Sequence, residues 1–516
     1  MKSVPAALLL LLVPLAAPVV TAPTGGQNSG DLRAPKTPAI APAPLPPVPT
    51  PRQLQWQALE FYAFAHFGMN TFTDREWGDG REDPHLFNPS ALDARQWVRA
   101  FSDAGMKMVI LTAKHHDGFC LWPSKYAAHS VASSPWRSGR GDLVREVSDA
   151  CREYGMKFGV YLSPWDRHEP TYGDSPRYND FYVNQLTELL TGYGPIAVVW
   201  FDGACGEGPN GKRQEYDWAR YRAVVRKLQP DAVMFSDAGP DIRWIGNEKG
   251  VANETNWSTV NLAGMGIGVS NAGQTEGHVG GTDWVPAEVD VSIRPGWFYH
   301  PAEDSKVKPL ERLVDIYFTS VGRNGSLLLN VPPDQRGLIH ENDVARLREL
   351  GQVLGATFRT DLALRAGATA DNVRGRSTEF SAERAVDGSN LTYWATDDGR
   401  QASTLELDLG EVKTFNVVLI REYIPLGQRV ESFEVEAWQD ERWQLVGAGT
   451  TIGNKRLLRL PQVRARRVRL VIRKARACPT ISTFGLFFSG AAERPAPRVG
   501  LTARSDQAGP RPSGAS

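Results

Sequence analysis

The chain has 516 residues, and its 58 Lys plus Arg balance 58 Asp plus Glu to a formal net charge of zero. That length implies more than one domain with ample chain for a large core, and the charge balance excludes a basic field built for nucleic acid or an acidic membrane surface. Fifteen Trp is a high count, which suits a sugar cleft, although a large core also consumes indoles.

Met1-Lys2 precedes an apolar run, Ala6 to Val20, that closes on Val20-Thr21-Ala22. An early positive charge, a short hydrophobic region and small residues before a break read as a secretory signal peptide over 1–22, too short and too Pro-interrupted for an anchor. The expectation is a secreted or periplasmic protein with no membrane anchor. Residues 23–51, rich in Pro, Ala, Gly and Thr, read as a flexible to semi-extended linker. Cys120, Cys151, Cys205 and Cys478 make no disulfide scaffold in so long a chain, and their spacing assigns no pairing.

From Trp56 onward strands and helices alternate. Leu59 to Gly68 reads as a strand ending in a His, Leu92 to Gly105 as an amphipathic helix, and Lys107 to Thr112 as a strand leading into Lys114-His115-His116-Asp117-Gly118-Phe119. A helix over Asp142 to Tyr154 and a strand from Phe158 follow; a helix over Tyr182 to Tyr193 then leads to the apolar run Ile196 to Val199. Tyr216 to Leu228 is the next helix and Ala232 to Ser236 the next strand. After a long irregular section come strands at Val289 to Trp297 and Ser326 to Val331, with helices at Leu310 to Val321 and Glu341 to Thr357. This alternation over residues 52–360 predicts a (β/α)8-like barrel. Residues 361–490 carry short alternating runs without helix, an all-β sandwich pattern. The Pro-, Gly- and Ser-rich tail at 491–516 reads as disordered.

The barrel is organised around Val198-Val199-Trp200-Phe201-Asp202-Gly203, a buried strand that stops at a Gly-rich loop. Side chains alternate along a strand, so Asp202 is in phase with Val198 and Trp200, at the carboxyl end of the strand, where barrel enzymes keep their catalytic groups. His66, His115 and Tyr161 also fall at or just past strand ends. An Asp capping the following loop is the bland alternative.

The segments His66-Phe67-Gly68, Arg75-Glu76-Trp77-Gly78, Ala113 to Phe119, Gly159-Val160-Tyr161 and Trp200 to Gly203 resemble the α-L-fucosidases of glycoside hydrolase family 29. The likeness continues through Arg243-Trp244-Ile245-Gly246-Asn247-Glu248, Ser292 to Trp297 and Leu328 to Pro333, and these last three are most similar to the branch acting on α-1,3/1,4-linked fucose. The resemblance implies an exo-glycosidase acting on fucosylated oligosaccharides or glycoprotein glycans. It implies Asp202 as the nucleophile of a retaining double displacement and no cofactor for catalysis. That chemistry needs a second carboxyl group about 5–5.5 Å away. The candidates are Glu248, in the place where the resembling branch keeps its acid/base, its main rival Glu254, and Glu288. His66, Glu76, Trp77, His115, His116, Tyr161, Trp200 and Trp297 match the family's sugar pocket, with Arg243 at its edge. Strand alternation would let only one of His115 and His116 reach the sugar.

A zinc site would need three converging protein ligands, and no HxxxH or Cys/His cluster supplies them. Cys120 reads as a structural thiol and Gly203 to Gly211 as a mobile rim loop lacking the Lys of a phosphate loop. Ala385 to Trp394 resembles the discoidin or coagulation-factor-type module, which implies Asp387 as a candidate ligand of a structural Ca2+. That sandwich either binds sugar or only buttresses the barrel. The competing functions are a broad-specificity fucosidase, a related retaining exo-glycosidase, and a sugar-binding protein with a decayed site.

Overall fold

The computed structural model describes residues 40–271 and 273–490; the signal-peptide reading at 1–22, most of the linker and the tail at 491–516 lie outside the described residues. Eight parallel strands, β1 (Phe61–Ala65), β2 (Met108–Lys114), β3 (Lys157–Leu162), β4 (Val198–Trp200), β5 (Val233–Ser236), β6 (Ile242–Trp244), β7 (Ala287–Ser292) and β8 (Gly325–Asn330), close a barrel in chain order. β8 returns to β1 with Phe61 opposite Leu327.

Each strand is buried on both faces, and the period of two decides which face is which. Tyr62, Phe64, Val198, Trp200, Phe235 and Ile242 fill the barrel interior. Phe61, Ala63, Val199 and Phe201 join the layer beneath the helices. The helices α3 (Ala94–Asp103), α4 (Leu143–Glu153) and α6 (Trp218–Leu228) each start on an aspartate that accepts from the first turn: Asp93 from Arg95 N, Asp142 from Arg145 N, Asp217 from Arg220 N. The other ring helices are α5 (Ser175–Gly192), α7 (Leu310–Ser320) and α8 (Glu341–Thr357).

The helix ring is incomplete. Residues 237–241 alone connect β5 to β6, and 245–286 hold only a two-stranded ribbon and a short 3-10 turn among the described residues. The gap is covered by α1 (Pro51–Gln57), whose Gln53 amide donates to the carbonyls of Asp241 and Trp284 at 2.8 and 2.6 Å. Between α1, α6 and residues 282–284 a groove of about 690 Å³ remains; its walls include Arg52, Arg222 and Asp241 and none of the strand-end residues named above.

The C-terminal domain is an antiparallel sheet structure in which two 20-residue strands, Ser403–Glu422 and Arg456–Ala475, pair along their length. The sequence pattern splits each into two runs, because the register shifts between Asp408 and Lys413 where Gly410 adopts φ 79°. Leu405 and Leu407 enter the domain core, while Glu406 and Asp408 point outward to Arg467 and Arg466.

This domain is fused to the barrel. Val417, Leu419, Leu457 and Phe487 belong to the same apolar cluster as the barrel's helix layer, and Glu60, at the entry to β1, pairs with Arg421 and Lys455. Residues 40–50, linker by composition, run along the sheet domain: Leu45 N donates to Leu426 O, and Arg429 to the Ala43 carbonyl. All four cysteines are unpaired thiols; Cys120, Cys151 and Cys478 are buried, and burial pushes those three thiols up.

Candidate active site

Asp202 lies two residues past the end of β4 and, in phase with Trp200, faces the mouth of the barrel. Its Oδ2 accepts from the Tyr161 hydroxyl at 2.9 Å and its Oδ1 from Ala204 N at 2.8 Å, so both oxygens are oriented by donors. Burial, and then the Asp202 charge and hydrogen bond, hold the Tyr161 phenol well above its ordinary range, which keeps it a donor. Trp200 lies below, stacked on Phe235 at 4.1 Å, with its indole N–H fixed by Glu288 at 2.7 Å.

The three histidines converge beside it. His66 is 5.7 Å from His115 between ring centroids, and His115 is 4.1 Å from His116. His116 Nε2 stands 4.0 Å from Asp202 Oδ2. Strand alternation does not separate His115 from His116, because β2 ends at Lys114 and the pair lies just beyond it. The exposed Trp77 packs edge-on against His116 at the rim. Burial lowers His66 to about 3 and His116 to about 4, and holds His115 well below its ordinary value, so all three are neutral at working pH.

Of the three carboxyl candidates opposite Asp202, Glu248 alone reaches the cleft. It accepts from the Trp297 indole at 3.3 Å, and Trp297 lies against His66 at 5.1 Å. Partial burial, opposed by that indole and assisted by the charges of Asp202 and Glu76, raises its pKa above the ordinary range. Glu254 is instead tied to Arg323 and Arg456 where the barrel meets the sheet domain. Glu288 is sealed in the barrel interior between Tyr62 and Trp200, and burial raises it to about 7.

Glu76 borders the site through the loop that carries Trp297: its oxygens accept from Trp297 N, Phe298 N and His300 Nε2. The same loop is pinned from behind by Arg294, fully buried against Asp343 on α8 at 2.6 Å.

Arg243 corrects the sequence reading. Ile242 and Trp244 face the barrel interior, so Arg243 points the other way, fully buried, and binds the carbonyls of Gln274, Val285 and Trp257 and the Asn256 amide oxygen. It clamps the 245–286 excursion and does not border the pocket. Trp257 is buried in the same region with Arg476 over its ring, whereas Trp244 stays on the cleft side and donates to Asp290 at 2.8 Å. Asp387 also has an account without a metal: its oxygens accept from Ser389 N and the Thr392 hydroxyl, with the Arg384 guanidinium 3.6 Å away. Among the described residues no group of three His, Cys, Asp or Glu is placed to hold a metal ion.

Two acids near the site escaped the sequence reading. Asp237 follows β5 as Asp202 follows β4, and burial, with the Asp202 charge adding, raises it to about 6. Asp290 lies inside the barrel, in phase with Glu288, and burial and then the Glu248 charge push it well up. Their shared signal is an acid in phase with interior positions at the carboxyl half of a strand.

The chain matches a family model described as Alpha-L-fucosidase over residues 52–357, and one described as F5/8 type C domain over residues 367–483. It is 49% identical over 457 residues to Alpha-L-fucosidase 1 of Arabidopsis thaliana, covering 87% of this chain and 90% of that protein. Among solved structures, SpGH29 superposes with a TM-score of 0.83 at 43% identity, covering 87% of this chain and 100% of that one. A Ruminococcus gnavus GH29 fucosidase in complex with fucose gives 0.82 at 36% identity, covering 88% and 98%. The strand-end acid, the three neutral imidazoles, the indoles around them and these likenesses agree: the chain belongs to the GH29 α-L-fucosidase family and carries a C-terminal F5/8 type C domain.

Proposed function

We propose that this α-L-fucosidase acts with retention of configuration on fucose α-1,3- or α-1,4-linked to a glycan, with Asp202 as nucleophile and Glu248 as acid/base. The observation that carries the reading is the division of labour between the two carboxyl groups. Both Asp202 oxygens are held by donors, the Tyr161 hydroxyl and Ala204 N, whereas Glu248 is raised by partial burial and like charge, and acid/base assignments follow such differences in surroundings. In the first step Asp202 Oδ bonds to the anomeric carbon while Glu248 gives its proton to the departing glycosidic oxygen. In the second, Glu248 takes a proton from water, whose oxygen displaces Asp202 and releases fucose. Trp244, on the cleft side, offers a floor for a neighbouring sugar, and contact with a branching galactose would contribute on the order of 1–3 kcal/mol to specificity. Export rests on residues 1–22 alone.

The test joins mechanism and linkage. Asp202→Ala should lower turnover by several orders of magnitude in a folded protein, and azide should partly restore it as the inverted glycosyl azide. The wild type should show higher kcat/KM on a Lewis-type trisaccharide than on its galactose-free disaccharide or on an α-1,2-linked fucoside. Near-normal turnover of Asp202→Ala overturns the nucleophile, and equal values across the three substrates overturn the linkage.

A further inference from the structure

The hydrogen-bond partners behind the three pocket histidines are themselves polarised, and they fix which ring nitrogen carries the proton. Behind His66 stands Asn330. Its amide nitrogen donates to the Trp297 carbonyl at 2.8 Å and to Ser292 Oγ at 2.9 Å. A carbonyl only accepts, so the Asn330 orientation is set and its Oδ1 faces His66 Nδ1 at 2.9 Å. Nδ1 of His66 must therefore carry the hydrogen.

Behind His116 stands Ser163. Its single hydroxyl hydrogen goes to the Trp165 carbonyl at 2.6 Å, so its oxygen accepts from His116 Nδ1 at 2.7 Å. Nδ1 of His116 also carries the hydrogen, and its Nε2, 4.0 Å from Asp202, is left with a lone pair.

Behind His115 the polarity is reversed. Asn70, fully buried on the short helix α2 (Met69–Thr73), directs its amide nitrogen to the Glu76 carbonyl at 3.1 Å, which fixes its orientation. The other hydrogen of that nitrogen faces His115 Nδ1 at 3.4 Å. A donor opposite Nδ1 places the imidazole hydrogen on Nε2.

We propose that the pocket presents its sugar with a fixed pattern, His66 Nε2 and His116 Nε2 as acceptors and His115 Nε2 as donor, and that Asn70 is the positioning residue that sets the exception. The neutrality of all three rings keeps the pattern as pH falls from neutral, until His116 takes a proton at about 4 and His66 at about 3 and each acceptor becomes a donor. Hydroxyls meeting His66 and His116 must donate, and the one meeting His115 must accept. A sugar whose hydroxyls cannot point in that sequence leaves a buried nitrogen unpaired, which is costly in a dry site. That these nitrogens meet fucose hydroxyls rests on the pocket assignment above; the proton positions do not.

Two measurements on the full chain decide the proposal. Neutron diffraction from perdeuterated, ligand-free crystals should show deuterium on Nδ1 of His66 and His116 and on Nε2 of His115. Deuterium on Nδ1 of His115, or on both of its nitrogens, overturns it. The second compares binding of fucose with its mono-deoxy and mono-deoxyfluoro analogues, since fluorine accepts weakly and never donates. At one hydroxyl fluorine should bind at least fivefold better than deletion, and that advantage should disappear in Asn70→Leu. At the hydroxyls meeting His66 and His116 fluorine should be no better than deletion. An advantage at none, or one that survives in Asn70→Leu, counts against the proposal. If Asn70→Leu does not fold, the wild-type neutron map and analogue series still decide. If fucose itself does not bind, the pocket assignment fails while the neutron map still reads the protons.

Discussion

Glu248 and Glu254 are six residues apart and have opposite surroundings. One looks into the cleft beside Trp297; the other ties Arg323 and the buried Arg456 together. Glu248→Gln should lower kcat/KM on natural glycosides by about 10²–10⁴-fold, with a smaller loss on a nitrophenyl fucoside whose leaving group needs no proton. Glu254→Gln should leave both substrates near wild type and lower stability by about 1–3 kcal/mol, since it strips charged hydrogen bonds from a buried guanidinium. Steady-state kinetics with a denaturant melt on the same preparations separates the two. Asp202 and Tyr161 were legible in the sequence because apolar strands count residues in twos and place both at a strand's end. Arg243 was not, because three residues, Ile242–Trp244, are too few to show a period, and a charged residue inside a family motif reads as a ligand. Asn70, Ser163 and Asn330 gave no signal, since each acts on a ring 45, 47 or 264 positions away in the chain.

At the scale of elements, the entry to β1 is governed by Glu60. Burial alone would raise its carboxyl, but Arg421 and Lys455 outweigh it and bring the pKa from 4.5 to about 2. A depressed carboxyl contributes stability that is complete above its unfolded value and is lost as pH falls through its folded one. The shift is equivalent to roughly 3 kcal/mol. Glu60→Gln should therefore be less stable than wild type by about that amount at pH 6, with the gap closing between pH 4.5 and pH 2. A gap that stays constant over that window would show that the ion pairs do not govern the turn. The helices read well from sequence because their Asp caps and apolar stripes are local. Helix α1 and strand β6 did not, since α1 has only 7 residues beside a Pro-rich run and β6 only 3 inside what reads as one irregular section.

For the whole molecule, barrel and sheet domain share one apolar layer and should unfold together. Val417, Leu419, Leu457 and Phe487 lie within the barrel's own apolar layer, and Phe358 of the closing segment meets Phe487 edge-on at 5.3 Å. Each such side chain would expose about 1.5–3 kcal/mol worth of burial if left bare. Deleting residues 361–490 should lower the melting temperature of the barrel and promote aggregation, with equal losses on small and multivalent fucosides. A stable truncated barrel with a selective loss on multivalent glycans would give the sheet domain a capture role instead. The change of period near residue 361 is visible in the sequence; the packing of the two domains on one another is not, because the residues that make it look like ordinary strand positions.

The unpaired thiols bear on where this protein can be made. With no disulfide bridging any two segments, the native state draws nothing from an oxidising milieu, and its melting curve should be the same with and without dithiothreitol. A producer strain with a reducing interior would then yield the same enzyme as an export route. Cys120 and Cys151, each no more than 1% exposed, should stay silent to a thiol reagent until the chain unfolds, so the onset of their labelling can serve as a clock for global opening.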